Sequence, residues 1–274
     1  MESTSELSMK CSFAVVDEIP DHHFINEKKP PAKTTRFALK EWKRLQNGLP
    51  PNIFVVGCSK DSHLLRALVI GPENTIFFNS YFIFDIFLPH NYPAFPPKVY
   101  YRSGGYKVHP NLYEDGTVCL SLLGTWSGDQ SERWKPSQSS ILQVVVSIQG
   151  LILGVKDPYF LEAGYEKLKG TKQGTLSSRT FNELSLINSV KQSYNYFKNP
   201  PLVFKSVLRE HFLQNLPNLK NLLSLCTKLD TQEPLGELLK TQSLYAIHDS
   251  PSKGFLKEIL GDLKKKIEES PNSL

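Results

Sequence analysis

The chain has 274 residues, of which 40% are hydrophobic and 22% charged, with a net charge of +5. That balance fits a mostly globular protein, and the charge is too small and too dispersed to argue for a nucleic-acid partner. Four cysteines, at positions 11, 58, 119 and 226, form no C-x-x-C pair, and no His/Cys cluster has zinc spacing, so neither a disulfide framework nor a metal site is expected.

Residues 1–33 are polar and close on "EKKPPAK". Their one apolar run, Phe13 to Val16, is far below the length of a signal-peptide core. No stretch of the chain reaches the roughly 18 apolar residues a membrane span needs. The expectation is a mobile N-terminal arm over residues 1–33 in a protein of the cytoplasm or nucleus. Adjacent His22 and His23 read as solvated side chains, not metal ligands. A helix should follow, capped by Thr34 or Thr35, with Ala38, Trp42, Leu45 and Leu49 on one apolar stripe. Lys40, Lys43 and Arg44 lie off that stripe, and Gly48 with Pro50-Pro51 should end the helix.

Strands are expected at 52–58, 63–71, 80–89 and 97–103. Short connections make them a four-stranded antiparallel meander. Between the last two strands "LPHNYPAFPPKV" holds four prolines, which fix φ and remove donors, so this is a rigid crossing outside the sheet.

"HPNLYEDGTVCLSLLGTW" (109–126) then carries one cysteine among aliphatic residues. A free cysteine is most often a small buried apolar residue, and reactivity needs a supporting microenvironment; by itself Cys119 admits either reading. "SSILQVVVSIQGLIL" (139–153) is apolar almost all round, and its length favours a buried central helix over a strand. Further helices follow, with Phe181, Leu184, Ile187 and Val190 in step, then two segments on either side of Pro217. The division expected is a core domain over 34–168, a helical extension over 169–229, and a linker with a C-terminal amphipathic helix over 230–274. The fold class is α+β: the meander packed on the central helix, with the N-terminal helix and the helical extension beside it.

This order and several motifs closely resemble the ubiquitin-conjugating enzymes. "GPENT" (71–75) is similar to the family's Gly-Pro-x-x-Thr turn, and "FDIFLPHNYPAFPPKV" (84–99) to its proline-rich segment. "HPNLYEDGTVCL" reproduces His-Pro-Asn followed by seven residues and Cys-Leu, and "WKP" (134–136) resembles Trp-x-Pro. The resemblance covers roughly residues 35–165. "CLSLLGTW" and the later "NPPLVFKSVLREHF" are similar in turn to the large hybrid conjugating enzyme/ligases.

The resemblance implies an acyltransferase that takes ubiquitin as a thioester on Cys119 and passes it to a substrate lysine. A thiol suits both steps, because it is nucleophilic on arrival and a good leaving group on departure. Asn111 is the implied oxyanion donor; His109 and Pro110 are the implied supports of its loop. Ser121 stands where many relatives have Asp. Many relatives place an acidic or serine gate after the buried helix; in "GVKDPYFLEAG", Asp157, Tyr159 and Glu162 compete for that place, a turn role stays equally open for each, and Asp157 is carried as the candidate. Lys40 and Lys43 match the face that docks the activating enzyme and ligases, and Ala94, Phe95 and Pro136-Ser137 match the ligase-contact loops. No cofactor is implied, since ATP is used by the upstream activating enzyme. The implied partners are ubiquitin, that activating enzyme, substrates with acceptor lysines, and ligases. A non-catalytic ubiquitin-binding variant and a carrier of another ubiquitin-like modifier stay open as alternatives. Trp134 follows Cys119 by 15 residues where compact relatives have eight, so about seven inserted residues should hang beside the site and influence acceptor choice.

Overall fold

The computed structural model describes residues 7–126, 128–136, 138–228 and 265. The expected linker and amphipathic helix over 230–274 lie outside the described residues, apart from Lys265. Five strands form one mixed sheet in the order β1 (Phe13–Val16), β2 (Ile53–Cys58), β3 (Leu64–Ile70), β4 (Tyr81–Phe87) and β5 (Lys98–Tyr101). β2 to β5 are the antiparallel meander that the short connections required. Helix α1 (Ala32–Gly48) packs on one face of the sheet. Its stripe buries Ala38 and Leu45, and Trp42 lies so close to Gly57 that a Cβ there would be 2.6 Å from the indole. Glycine in β2 is what admits the helix. α1 begins earlier than expected, after Pro31, and no side chain caps it. Thr34 instead donates to the Pro31 carbonyl at 2.6 Å and bonds His63 Nε2 at 2.7 Å, which ties the helix start to β3.

The opposite face of the sheet corrects the expectation of a mobile N-terminal arm for residues 7–31. β1 adds a fifth strand, parallel to β2 with Phe13 beside Val55 and Val16 beside Cys58. Residues 17–29 then cross the outer face. There the cross-strand pair Arg66 and Asp85 is fully buried, and the arm supplies its partners. Arg66 donates to Asp85 Oδ1 at 2.5 Å and to Asp21 Oδ1 at 2.7 Å. The His22 ring bonds the Leu65 carbonyl at 2.8 Å, so His22 is a buried packing group, not a solvated one. Period-2 alternation alone would leave a charged pair like this facing water; the arm is the reason it is enclosed.

The apolar segment forms helix α2 (Ile141–Ser147), which continues as a π-helical turn over Ile148–Ile152. Ser140 and Gln143 make a reciprocal capping box. The buried carboxylate of Glu41 accepts the Ile141 N–H at 2.9 Å, an anion at a helix N-terminus. The helix is not buried all round, because Leu151 is 63% exposed and Val146 is also open. Helix α3 (Lys172–Lys198) and helix α4 (Lys205–Lys228, with Pro217 inside it) close the rest of the sheet. Their inner surface buries Leu186, Ile187, Val190, Phe197, Val207, Leu208 and Phe212, with a set of polar groups among them. Gln192 accepts from the Tyr101 hydroxyl at 2.6 Å and donates to the Tyr81 carbonyl at 2.7 Å. Ser193 accepts the Tyr81 N–H at 2.8 Å, and His211 bonds the Tyr81 hydroxyl at 3.0 Å. Leu184, expected inward, is exposed.

Candidate active site

Residues 109–119 form a tight turn beside β5. Leu112 pairs with both His109 and Val118. Tyr113 N–H donates to Thr117 at 3.0 Å, and Gly116 N–H returns to Tyr113 at 3.1 Å. Gly116 has a φ of +94°, where a side chain would be strained. Its carbonyl accepts Tyr101 N–H at 2.7 Å, which fastens the turn to the sheet edge. At the base, Cys119 and Asn111 bond each other twice. Cys119 N–H donates to the Asn111 carbonyl at 2.9 Å, and Asn111 Nδ2 donates to the Cys119 carbonyl at 3.1 Å. Behind them His109 Nδ1 accepts the Asn111 N–H at 2.9 Å. On the far side, Thr125 bridges the Leu120 N–H at 3.0 Å and the Val118 carbonyl at 2.5 Å, so the chain after the cysteine is held as firmly as the chain before it.

These surroundings fix protonation states. Burial pushes the His109 imidazole down to about 3, against a smaller opposing pull from the Ile152 backbone. A neutral ring with Nδ1 as acceptor supports a loop and is no base near neutral pH. Burial also raises the Cys119 thiol; the Tyr113 hydroxyl beside it pulls the other way, while the Glu162 and Asp115 carboxylates raise it further. Cys119 is 7% exposed and, with its pKa raised, rests as a thiol, the less reactive form.

The structure brings Asn111, His109 and Pro110 together at Cys119. Ser121 begins a short 3-10 turn just beyond it. Part of the inserted loop folds back on Ser121: a Cβ on Gly128 would lie 1.9 Å from the Ser121 hydroxyl and 2.4 Å from Glu132 Oε2. Ser127 and Ser137 lie outside the described residues. Asp157 is exposed ahead of the short helix Pro158–Leu161 and does not figure among the groups acting on the thiol. Of the three competitors, Glu162 is the carboxylate whose field reaches Cys119. Sequence reasoning passed over Tyr113; the signal available was the closeness of the turn, which returns residue 113 to the cysteine. Lys40, Lys43, Ala94 and Pro136 are exposed, and Phe95 is 59% exposed. Trp134 Nε1 donates to the Pro93 carbonyl at 2.8 Å, which joins the proline crossing to the loop carrying Pro136. A groove of about 270 Å³ runs from Leu120 and Leu122 past Arg133 and Lys135 to Leu151.

Among the described residues there is no cluster of His, Cys, Asp and Glu able to hold a metal ion, and no helix long and apolar enough to cross a membrane. The family model for ubiquitin-conjugating enzyme matches residues 37–170. The chain is 37% identical over 263 residues to ubiquitin-conjugating enzyme E2 38 of Arabidopsis thaliana, covering 94% of this chain and 79% of that one. It is 36% identical to ubiquitin-conjugating enzyme E2 26 of the same plant, of which it covers 48%. It is also 37% identical over 219 residues to the dual E2 ubiquitin-conjugating enzyme/E3 ubiquitin-protein ligase BIRC6 of Homo sapiens, covering 77% of this chain and 4% of that one. With the turn, the cysteine and the sheet in hand, these similarities have one reading: the chain belongs to the ubiquitin-conjugating enzyme (E2) family.

Proposed function

We propose that this chain accepts ubiquitin as a thioester on Cys119 and transfers it to lysine. Cys119 Sγ attacks the thioester carbonyl carried by the activating enzyme, whose cysteine leaves. A lysine amine then attacks the new thioester, Cys119 leaves as thiolate, the amine gives up its proton, and an isopeptide bond remains. The observation that carries this reading is the double bond-pair between Asn111 and Cys119, which fixes the thiol's backbone and an amide N–H donor in one rigid unit. In this reading Asn111 stabilises the oxyanion of the second step as well as closing its loop. Tyr113 and Glu162 flank the incoming lysine, Glu162 taking the part first given to Asp157. The groove past Leu122, Arg133 and Leu151 receives the modifier's C-terminal tail. Lys40 and Lys43 with Phe95 and Pro136 offer the docking surfaces for the activating enzyme and for ligases. The likeness to the dual enzyme/ligase supports lysine transfer without an added ligase.

The test is a non-reducing gel after incubation with activating enzyme, ATP and ubiquitin. A reductant-sensitive adduct is expected, absent in Cys119→Ala and converted to an alkali-sensitive oxyester in Cys119→Ser. No adduct with any modifier would sink the reading in favour of a non-catalytic variant, and an adduct with a different modifier alone would replace ubiquitin as the cargo.

A further inference from the structure

The reaction turn does not stand alone. Its tip rests on Tyr100, the β5 residue directly across from Asp85. A Cβ on Gly116 would lie 2.0 Å from Tyr100 Cε2 and 2.3 Å from Cδ2, so the glycine backbone sits hard against the edge of this ring. The face of the same ring is stacked on His23, with centroids 3.6 Å apart and planes 4° from parallel. His23 is itself fixed. Its N–H donates to Asp85 Oδ2 at 2.9 Å, and its neighbour His22 is bonded to the Leu65 carbonyl. One residue further back, Asp21 binds Arg66 and Arg102. A continuous line of contacts therefore runs from the buried ion cluster on the outer face, through His23 and Tyr100, to Gly116. From Gly116 it reaches Tyr113 by the Gly116 N–H and so the thiol.

We propose that Tyr100, clamped by His23, is a positioning residue for the transfer step: it holds the Gly116 turn, and through it Tyr113 and the Asn111–Cys119 unit, in the geometry lysine attack requires. Neither ring touches the reacting atoms. Their effect is on placement, and a displacement of about 1 Å at a reacting centre can cost up to 10²-fold in rate. The N-terminal segment thus acts in the chemistry of a site far from it in sequence. This rests on the transfer function proposed above, and the two are separated by measuring charging and discharge apart.

The full-length chain is charged with ubiquitin, the charging mix is quenched, and loss of thioester to free lysine is followed over a range of lysine concentrations. Tyr100→Ala is expected to charge normally and to discharge about tenfold more slowly, with the fall in the maximal rate and little change in the lysine concentration for half-maximal rate. Tyr100→Phe keeps the ring and should stay within about twofold of the parent, and His23→Ala should fall between the two. Leu186→Ala, a cavity in α3 far along the chain from the turn, serves as the control for lost stability. If Leu186→Ala slows discharge as much as Tyr100→Ala at a matched fall in Tm, or if Tyr100→Ala discharges at the parent rate, the positioning role is overturned. Failure of the parent chain to charge at all would instead remove the transfer reading on which the role rests.

Discussion

Replacing Asp85 by asparagine should cost about 3 kcal/mol of folding stability. Arg66 is fully buried, and Asp85 faces it with both oxygens, at 2.5 Å from Nε and 3.1 Å from Nη2. The same carboxylate accepts from Arg102 at 3.1 Å and from the His23 N–H at 2.9 Å. Burial alone would push this carboxyl up; the Arg66 guanidinium, aided by His22 and the His23 N–H, outweighs it and holds the carboxyl below its ordinary range. Asparagine keeps the shape and loses the charge, leaving a buried guanidinium whose remaining counter-charge, Asp21, is half in water. Loss of one partner from a buried pair costs about 3–5 kcal/mol, and Asp21 puts this case at the lower end. With a urea m-value of about 3 kcal/mol/M the midpoint should fall by about 1 M. The double variant Arg66→Met, Asp85→Leu removes both charges and should recover most of the loss, because well-packed apolar residues replace buried pairs at little or no cost. A midpoint shift under about 0.3 M in Asp85→Asn, or a double variant no better than the single, would refute the view that the charge pair is closed by its own partners.

Asn111→Ala should charge with ubiquitin yet discharge to lysine about 100-fold more slowly, the loss expected of one oxyanion donor; equal rates by single-turnover gel would assign Asn111 to loop closure alone. Glu162→Gln should slow lysine discharge with charging unchanged, whereas Asp157→Asn should leave both rates within about twofold, a comparison made by the same assay. Stability should also depend on pH. Burial lowers His109 to about 3 and His211 to about 4, below the ordinary 6.5, so the unfolded chain binds more protons across that window. The contribution is therefore present above pH 6.5 and lost as pH falls towards 4, by about 2 kcal/mol for each histidine at pH 5. Urea midpoints that do not decline between pH 7 and pH 5 would contradict the neutral, buried assignment of both rings.

Much of the core was legible because it depends on local rules. The α1 stripe, the proline crossing and the capped apolar helix each follow from periodicity or from φ restriction, and each occurs near its expected place. The failures share a different cause. "FAVV" is only four residues long, and whether it pairs depends on β2, some 40 positions away. The polar part of the inner surface of α3 is equally invisible to a period of apolar residues, since Ser189, Gln192 and Ser193 are buried by bonding Tyr81, Tyr101 and the helix's own carbonyls. Within the site, Cys119 and Asn111 are marked by spacing. Tyr113 is marked only by its place in the same turn, whereas nothing local marks Tyr100 or separates Glu162 from Asp157 and Tyr159, because their approach to the turn is set by tertiary packing.

The same long-range bonds decide how large the working unit of this chain is. A segment trimmed to the matched residues 37–170 would contain every strand of the meander and the whole turn that carries Cys119. It would lack Asp21 for Arg66, His23 for Tyr100, Gln192 for the Tyr101 hydroxyl and the Tyr81 carbonyl, and Ser193 for the Tyr81 N–H. Each buried polar group left without a partner costs about 1–3 kcal/mol, and a buried charge costs more. Several such losses together rival the whole stability of an ordinary domain, about 5–15 kcal/mol. The residues on both sides of the conjugating core are therefore part of its folding unit: the N-terminal segment closes one side of the outer face, α3 and α4 close the rest, and Tyr100 connects that closure to the turn that carries Cys119.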